Sequence, residues 1–255
     1  MRNLTSFLLV LLFTYVALCA LLFLTQRSQI YFQVPESNPV GAESIRFAND
    51  GIELKVWVVS RPGPKALIYF GGNAEDVAFN LTAFTSTFPD HTIYLVNYRG
   101  YGGSTGSPSE SGLAADAIAF YDFVRPRQSE ISVIGRSLGA GVAVQLASVR
   151  EVDRLVLVTP FDSLVNVARA HFSYIPVGLL LLDRYDSTSR VRAIEADALV
   201  VIAGADEIVP RARSDALVAE FRPAQPCVVV LEGAMHNEID SRPQYLAELG
   251  RFLAQ

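Results

Sequence analysis

The chain has 255 residues, 51% of them hydrophobic, and a formal net charge of -5. That length and apolar content can bury one large core with an N-terminal appendage, and the lack of any Lys/Arg cluster argues against a nucleic-acid surface. Two cysteines, Cys19 in an apolar run and Cys227 in an expected buried strand, are not placed to meet, and three histidines with no Cys/His grouping argue against zinc, so neither a structural disulfide nor a metal is expected.

Residues 4–24 form a run of 21 residues without a charge, long enough to cross a hydrocarbon core of roughly 30 Å. A cleavable signal peptide is the rival reading, but its apolar region is normally about 7–15 residues and ends at a small-x-small site. Here the run continues past Ala20 through Leu24, which favours an uncleaved single-pass anchor over residues 1–25. Bulky Leu18 and the apolar residues after Cys19 argue against a lipoprotein site. Arg2 and Arg27 flank the run, one on each side, so the charge bias for orientation is weak and the side of the membrane is left open. Residues 26–43, with Pro35, Pro39 and Gly41, read as a linker to a domain over residues 44–255.

That domain opens with strands at 44–48 and 53–60, joined by Asn49-Asp50-Gly51. Asp-Gly between alternating apolar runs is a strong hairpin signal. A buried strand at 66–70 ends in Gly71-Gly72-Asn73-Ala74, and a helix is expected over 77–88. A strand at 92–98, a Gly-rich loop at 99–104 and a helix at 113–124 follow. The strand starting at Ile131 runs into Gly135-Arg136-Ser137-Leu138-Gly139, and a small-residue helix extends to about Val149. Next come a strand at 154–159, an insertion at 163–192, a strand at 198–203, a helix at 214–221, a strand at 227–231 and a helix at 243–254. Short β-branched strands alternating with helices imply a mainly parallel sheet covered on both faces. Such sheets bind ligands at the carboxyl ends of their strands, and every motif below sits at such an end.

Gly135-Arg136-Ser137-Leu138-Gly139 is a G-x-S-x-G pattern between a strand and a helix, the setting in which the pattern carries meaning. A serine on so sharp a turn is lifted out of the sheet, over the positive end of a helix. A serine hydroxyl needs a base, and the base needs an orienting acid. His236, on the loop after the strand at 227–231, is the candidate base. Asp206, in Gly204-Ala205-Asp206-Glu207, directly after the strand at 198–203, is the candidate acid. The three occur in the order Ser, Asp, His, separated by 69 and then 30 residues. The oxyanion needs two N–H donors: Leu138 supplies one and Asn73, after Gly71 and Gly72, is the candidate for the second. Asp162 could substitute as the acid but reads as a cap of the next segment. Arg136 is expected to pair with a local carboxylate, Trp57 to be core and His91 to lie in a surface turn; His171, in the insertion, could face the pocket but reads as structural. Tyr98 and the loop after it could shape the pocket floor or be purely structural.

Tyr69-Phe70-Gly71-Gly72-Asn73-Ala74, Asn97-Tyr98-Arg99-Gly100-Tyr101-Gly102, the Ser137 elbow, Gly204-Ala205-Asp206-Glu207-Ile208-Val209-Pro210 and Gly233-Ala234-Met235-His236-Asn237 together resemble the α/β-hydrolase superfamily. They resemble most its membrane-anchored α/β-hydrolase domain-containing serine hydrolases, over residues 45–253. The resemblance implies an α/β fold with a mainly parallel eight-stranded sheet, and a Ser137–His236–Asp206 triad acting without cofactor or metal. The motifs are poorly specific for substrate; cleavage of an ester or thioester is expected, and a lipid-like or acylated substrate is expected from the apolar N-terminal run and the insertion. Gly71 stands where that subgroup has a histidine before Gly-Asn-Ala. Oxyanion donation is by backbone, so activity is expected to survive the change. The insertion, apolar from His171 to Leu182, resembles a minimal lid suited to acyl chains, though it could equally pack on the sheet. An acyltransferase or peptidase of the same fold, and a non-catalytic membrane-tethered binding module, are the alternatives. A dehalogenase would need an aspartate at Ser137.

Overall fold

The Asp50-Gly51 signal folds as the sequence dictates: both residues have positive φ, 49° and 74°, the requirement of a tight turn that matches strand twist. The computed structural model describes residues 2–39, 41–222 and 225–255. Met1 of the expected anchor, Val40 of the expected linker, Pro223 and Ala224 lie outside the described residues, as does the Arg2 side chain considered for orientation.

In chain order the elements are helix α1 (Arg2–Ile30), β1 (Glu43–Asn49), β2 (Ile52–Val59), β3 (Lys65–Phe70), α2 (Leu81–Thr87), β4 (Thr92–Val96), α3 (Glu110–Val124) and β5 (Glu130–Arg136). They continue with α4 (Leu138–Ala147), β6 (Arg154–Val158), α5 (Leu164–His171), α6 (Val177–Leu180), α7 (Thr188–Val191), β7 (Asp197–Ala203), α8 (Arg211–Val218), β8 (Cys227–Leu231) and α9 (Pro243–Leu253). The strands form one eight-stranded sheet in the order β1-β2-β4-β3-β5-β6-β7-β8. The β1–β2 and β2–β4 pairs are antiparallel; every pair from β4 to β8 is parallel.

Strand side chains alternate between faces, so the sheet has two cores. Ile68, Phe70, Val133, Leu155, Leu157 and Val200 pack with Leu113 and Phe120 of α3 and Val142 and Leu146 of α4. Leu67, Tyr69, Ile134, Val156 and Val201 pack with Phe84 of α2 and with α9. Helix α9 buries Tyr245, Leu249, Phe252 and Leu253, one face at helical spacing. Each such side chain contributes about 1.5–3 kcal/mol on leaving water.

Four expectations need correction. The helix expected over 77–88 is a 3-10 turn, Val77–Asn80, followed by α2. The Asp76 carboxylate accepts from Ala78 N–H at 3.0 Å and starts the tighter turn. His91 is not on the surface: it is buried, edge-on to Phe88 at 6.1 Å. Cys227 is exposed, because it opens an edge strand whose outer residues meet solvent; both cysteines are free thiols. The N-terminal helix, expected as an anchor ending near Leu24, continues to Ile30. Its last turns are held by the insertion: Gln26 Nε2 donates to Leu180 O at 3.2 Å, and Gln26 Oε1 accepts from Leu182 N–H at 2.8 Å.

Candidate active site

The elbow after β5 holds Ser137 at φ 51° and ψ -112°, a conformation that costs an L-residue about 1–3 kcal/mol and persists only when its surroundings fix it. Those surroundings are specific. Ser137 N–H donates to Val158 O at the end of β6 at 2.8 Å. A Cβ at Gly139 would stand 2.0 Å from Phe70 O, and one at Gly135 would stand 2.3 Å from Gly139 O. The two flanking glycines are therefore demanded by backbone crossing backbone.

Asp206 follows β7 and His236 follows β8, the next two strands beyond β6, so the loops converge on the Ser137 side of the sheet edge. His236 Nε2 lies 2.9 Å from Ser137 Oγ, and His236 Nδ1 lies 2.7 Å from Asp206 Oδ2. The sequence places His236 on a free loop; it instead opens a 3-10 turn, His236–Ser241, and is buried. The other Asp206 oxygen accepts from the N–H groups of Ile208 at 2.9 Å and Val209 at 2.7 Å. The carboxylate is thus fixed by two backbone donors and aimed at the imidazole. The structure brings Ser137, His236 and Asp206 into one hydrogen-bonded file. It keeps Asp162 out of that file: Asp162 accepts from Ser163 N–H at 2.7 Å, Asn166 Nδ2 at 2.8 Å and Arg213 Nη1 at 3.0 Å. Ser163, next to it, caps α5.

Leu138 opens α4, where first-turn N–H groups have no partner inside the helix. On the opposite loop, the Gly72 N–H is already taken by Glu75 Oε2 at 2.5 Å. Asn73 is held by its side chain: Nδ2 donates to Ile30 O at 2.6 Å, and Oδ1 accepts from Phe32 N–H at 2.9 Å and Tyr101 Oη at 2.9 Å. The side chain of this residue therefore joins the end of α1 to the loop. Gly71 explains the missing histidine, since a Cβ there would meet Val77 Cγ1 at 2.6 Å.

Sequence reasoning missed Glu75. Its carboxylate also accepts from Tyr69 Oη at 2.6 Å and Asn80 Nδ2 at 2.7 Å, and it lies 3.7 Å from Arg136 Nη1. Arg136 bonds Asp240 at 2.9 Å and so links elbow, Asn73 loop and His236 turn. Burial works against the Arg136 charge, but Glu75, Tyr69, Tyr245 and Asp240 hold its pKa above the ordinary value. Burial, with Glu75 beside it, pushes the Tyr69 hydroxyl well up. An acid two residues after Asn73 was the available signal. Tyr98 is structural: buried, it donates to Gly71 O at 2.7 Å. Trp57 is core. His171 Nε2 lies 2.8 Å from Ile208 O, tying the insertion to the Asp206 loop.

Ser137 and His236 open into a cavity of about 890 Å³. Its walls are mainly apolar: Phe161, Leu164, Val167, Phe172, Ile175, Leu180 and Leu181 from the insertion side, and Leu22, Ile30 and Phe32 from α1 and its exit. The insertion and the N-terminal helix thus both contribute walls to the cavity.

No family model matches the chain. An uncharacterised protein of Mycobacterium tuberculosis is 36% identical over 249 residues, covering 90% of this chain and 88% of that protein. Alpha/beta hydrolase domain-containing protein 17B of Xenopus laevis is 27% identical over 243 residues, covering 92% and 82%. Among solved structures, an esterase of Pyrococcus furiosus superposes with a TM-score of 0.71 at 17% identity, covering 88% of this chain and 98% of that one. An enol-lactonase of Burkholderia xenovorans gives 0.67 at 15% identity, covering 83% and 100%. The sheet order and the strand-end loops, with these solved structures, show that the chain has the α/β-hydrolase fold.

Proposed function

We propose that the chain is a serine hydrolase that cleaves carboxylic esters or thioesters of apolar acyl groups and is anchored to a membrane by α1. The observation that carries this reading is the Ser137–His236–Asp206 file, 2.9 Å and 2.7 Å long at its two steps, on a serine held at positive φ. His236 Nε2 takes the Ser137 proton as Oγ attacks the carbonyl carbon. Asp206 holds Nδ1–H, fixes the tautomer and stabilises the imidazolium that forms. The N–H groups of Leu138 and Asn73 take the developing oxyanion, each such donor being worth roughly 10²–10³ in rate. His236 then gives its proton to the leaving oxygen or sulfur, which departs and leaves Ser137 acylated. Water, deprotonated by His236, releases the acid and restores the serine.

Two features support the substrate class. The cavity is walled by aliphatic and aromatic side chains, and each CH₂ buried there contributes about 0.8 kcal/mol. One wall is α1, whose segment Asn3–Ile30 is long and apolar enough to cross a membrane.

Labelling with a fluorophosphonate, which phosphonylates an activated serine, tests the reading on the full chain in membranes. The wild type is expected to label, and Ser137→Ala and His236→Ala are not. A folded wild type that stays unlabelled, or a Ser137→Ala protein that labels equally, overturns it.

A further inference from the structure

Three observations concern the loop 172–182 between α5 and Asp183. First, it is uncharged, and four of its large side chains, Phe172, Tyr174, Leu179 and Leu182, are exposed, Tyr174 to 90% and Leu179 to 87%. Second, its backbone polar groups are largely satisfied. The N–H groups of Phe172, Ile175, Leu179, Leu180 and Leu181 bond within the loop and its approach, and that of Leu182 bonds Gln26. The Tyr174 carbonyl accepts from Tyr15 Oη at 2.8 Å, Leu180 O from Gln26 Nε2 at 3.2 Å and Gly178 O from Arg184 Nη1 at 3.0 Å. Backbone at membrane depth must have its polar groups satisfied within the protein, and these bonds, with the helical turn α6 inside the segment, do so for the groups named. Third, α1 and the loop regain charge at the same level, where Arg27 Nε bonds Asp183 Oδ2 at 3.0 Å.

Length then decides how deep the loop must sit. Between Arg2 and Tyr15 lie 12 residues, about 18 Å of helix, too little for a hydrocarbon core of about 30 Å. A helix that crosses the core needs roughly 20 apolar residues, which carries the lipid to about Leu22, beyond the level of Tyr15 and its partner Tyr174. We infer that the loop 172–182 is immersed in the bilayer beside α1, so that the cavity opens toward the acyl chains and substrate enters from the lipid. Phe172, an exposed side chain of the loop that also lines the cavity, stands at the mouth on the loop side. The inference rests on reading α1 as a membrane segment and the cavity as an acyl site.

Depth-dependent quenching tests it on the full chain. In a Cys19→Ala, Cys227→Ser background, single cysteines Y174C, L179C, L11C and V149C each carry an environment-sensitive dye. Each protein is reconstituted in phosphatidylcholine/phosphatidylglycerol vesicles with or without chain-brominated lipid. The dyes at 174, 179 and 11 are expected to be quenched and the dye at 149 is not. If position 11 is quenched while 174 and 179 behave like 149, the loop inference falls and the anchor stands. If position 11 is also unquenched, both fall. In parallel, Tyr174→Asp with Leu179→Asp is expected to lower hydrolysis of a vesicle-embedded long-chain ester about tenfold, because charge is expelled from lipid, while soluble acetyl ester hydrolysis and fluorophosphonate labelling stay within about twofold. Equal turnover of the embedded ester by variant and wild type overturns the inference without touching the serine-hydrolase reading, which fluorophosphonate labelling judges separately.

Discussion

Asn73→Ala separates a loop that merely folds from a loop that donates to an oxyanion. The change deletes the bonds to Ile30 O, Phe32 N–H and Tyr101 Oη. At a net contribution of about 0.5–1.5 kcal/mol each, three bonds give about 1.5–4.5 kcal/mol, and the lower end applies because the Phe32 contact is solvent-accessible. About 2 kcal/mol in a domain of this size lowers Tm by roughly 4–8 °C. The kinetic effect should be larger in proportion, since a displaced oxyanion donor costs roughly 10²–10³ in kcat. The assay is hydrolysis of a soluble p-nitrophenyl ester over a range of concentrations, with thermal unfolding in parallel. The expected outcome is a kcat about 100-fold lower with KM little changed. Tyr101→Phe, which removes only one of the bonds, should retain most of kcat. The reasoning is refuted if Asn73→Ala loses the worked Tm and yet keeps kcat within about threefold of wild type, well short of one lost donor.

The two aspartates are expected to part company: Asp206→Asn should cut kcat by about 10⁴ through the wrong imidazole tautomer, whereas Asp162→Asn should leave kcat intact and lower Tm, both read from the same ester assay and melt. Gly139→Ala forces a Cβ to within 2.0 Å of Phe70 O, so the variant should fail to accumulate as folded protein or melt far below wild type, while Ala140→Gly does neither. His91 is buried, and burial, then Lys65, hold its pKa below the ordinary value. The unfolded chain therefore binds the proton more readily, so this site costs stability as pH falls below about 6.5. His91→Phe should flatten the decline of Tm below that pH, and an unchanged slope would place the acid sensitivity elsewhere.

Much of the fold was legible because its signals are local. Asp50-Gly51 makes its turn from two residues, and the strands before Ser137, Asp206 and His236 announce themselves by β-branched runs of ordinary strand length. Ser137, His236 and Asp206 could be picked out because each follows a strand and their chain order is informative. What escaped was set by partners far away in sequence. His91 looks like a turn residue, and only the packing of Phe88 buries it. Cys227 reads as core until β8 proves to be an edge. Gln26 and Arg27 look like the start of a polar linker; they extend α1 because Leu180, Leu182 and Asp183, more than 150 positions away, receive their side chains. Glu75 carries no motif, and its role depends on Tyr69, Gly72 and Arg136 meeting around it.

The bond from Asn73 to the Ile30 carbonyl has a practical consequence for how such a protein is handled. Trimming the hydrophobic N-terminus before Tyr31 is the obvious route to material that stays in solution without detergent. That cut removes the acceptor for Asn73 Nδ2 together with Leu22, Gln26 and Ile30 from the cavity wall, and it leaves Asp183 without Arg27. The trimmed protein would keep Ser137 and His236 yet present a breached, wider binding site. If the proposed acyl-ester activity holds, its preference among chain lengths would then describe the surgery rather than the intact protein.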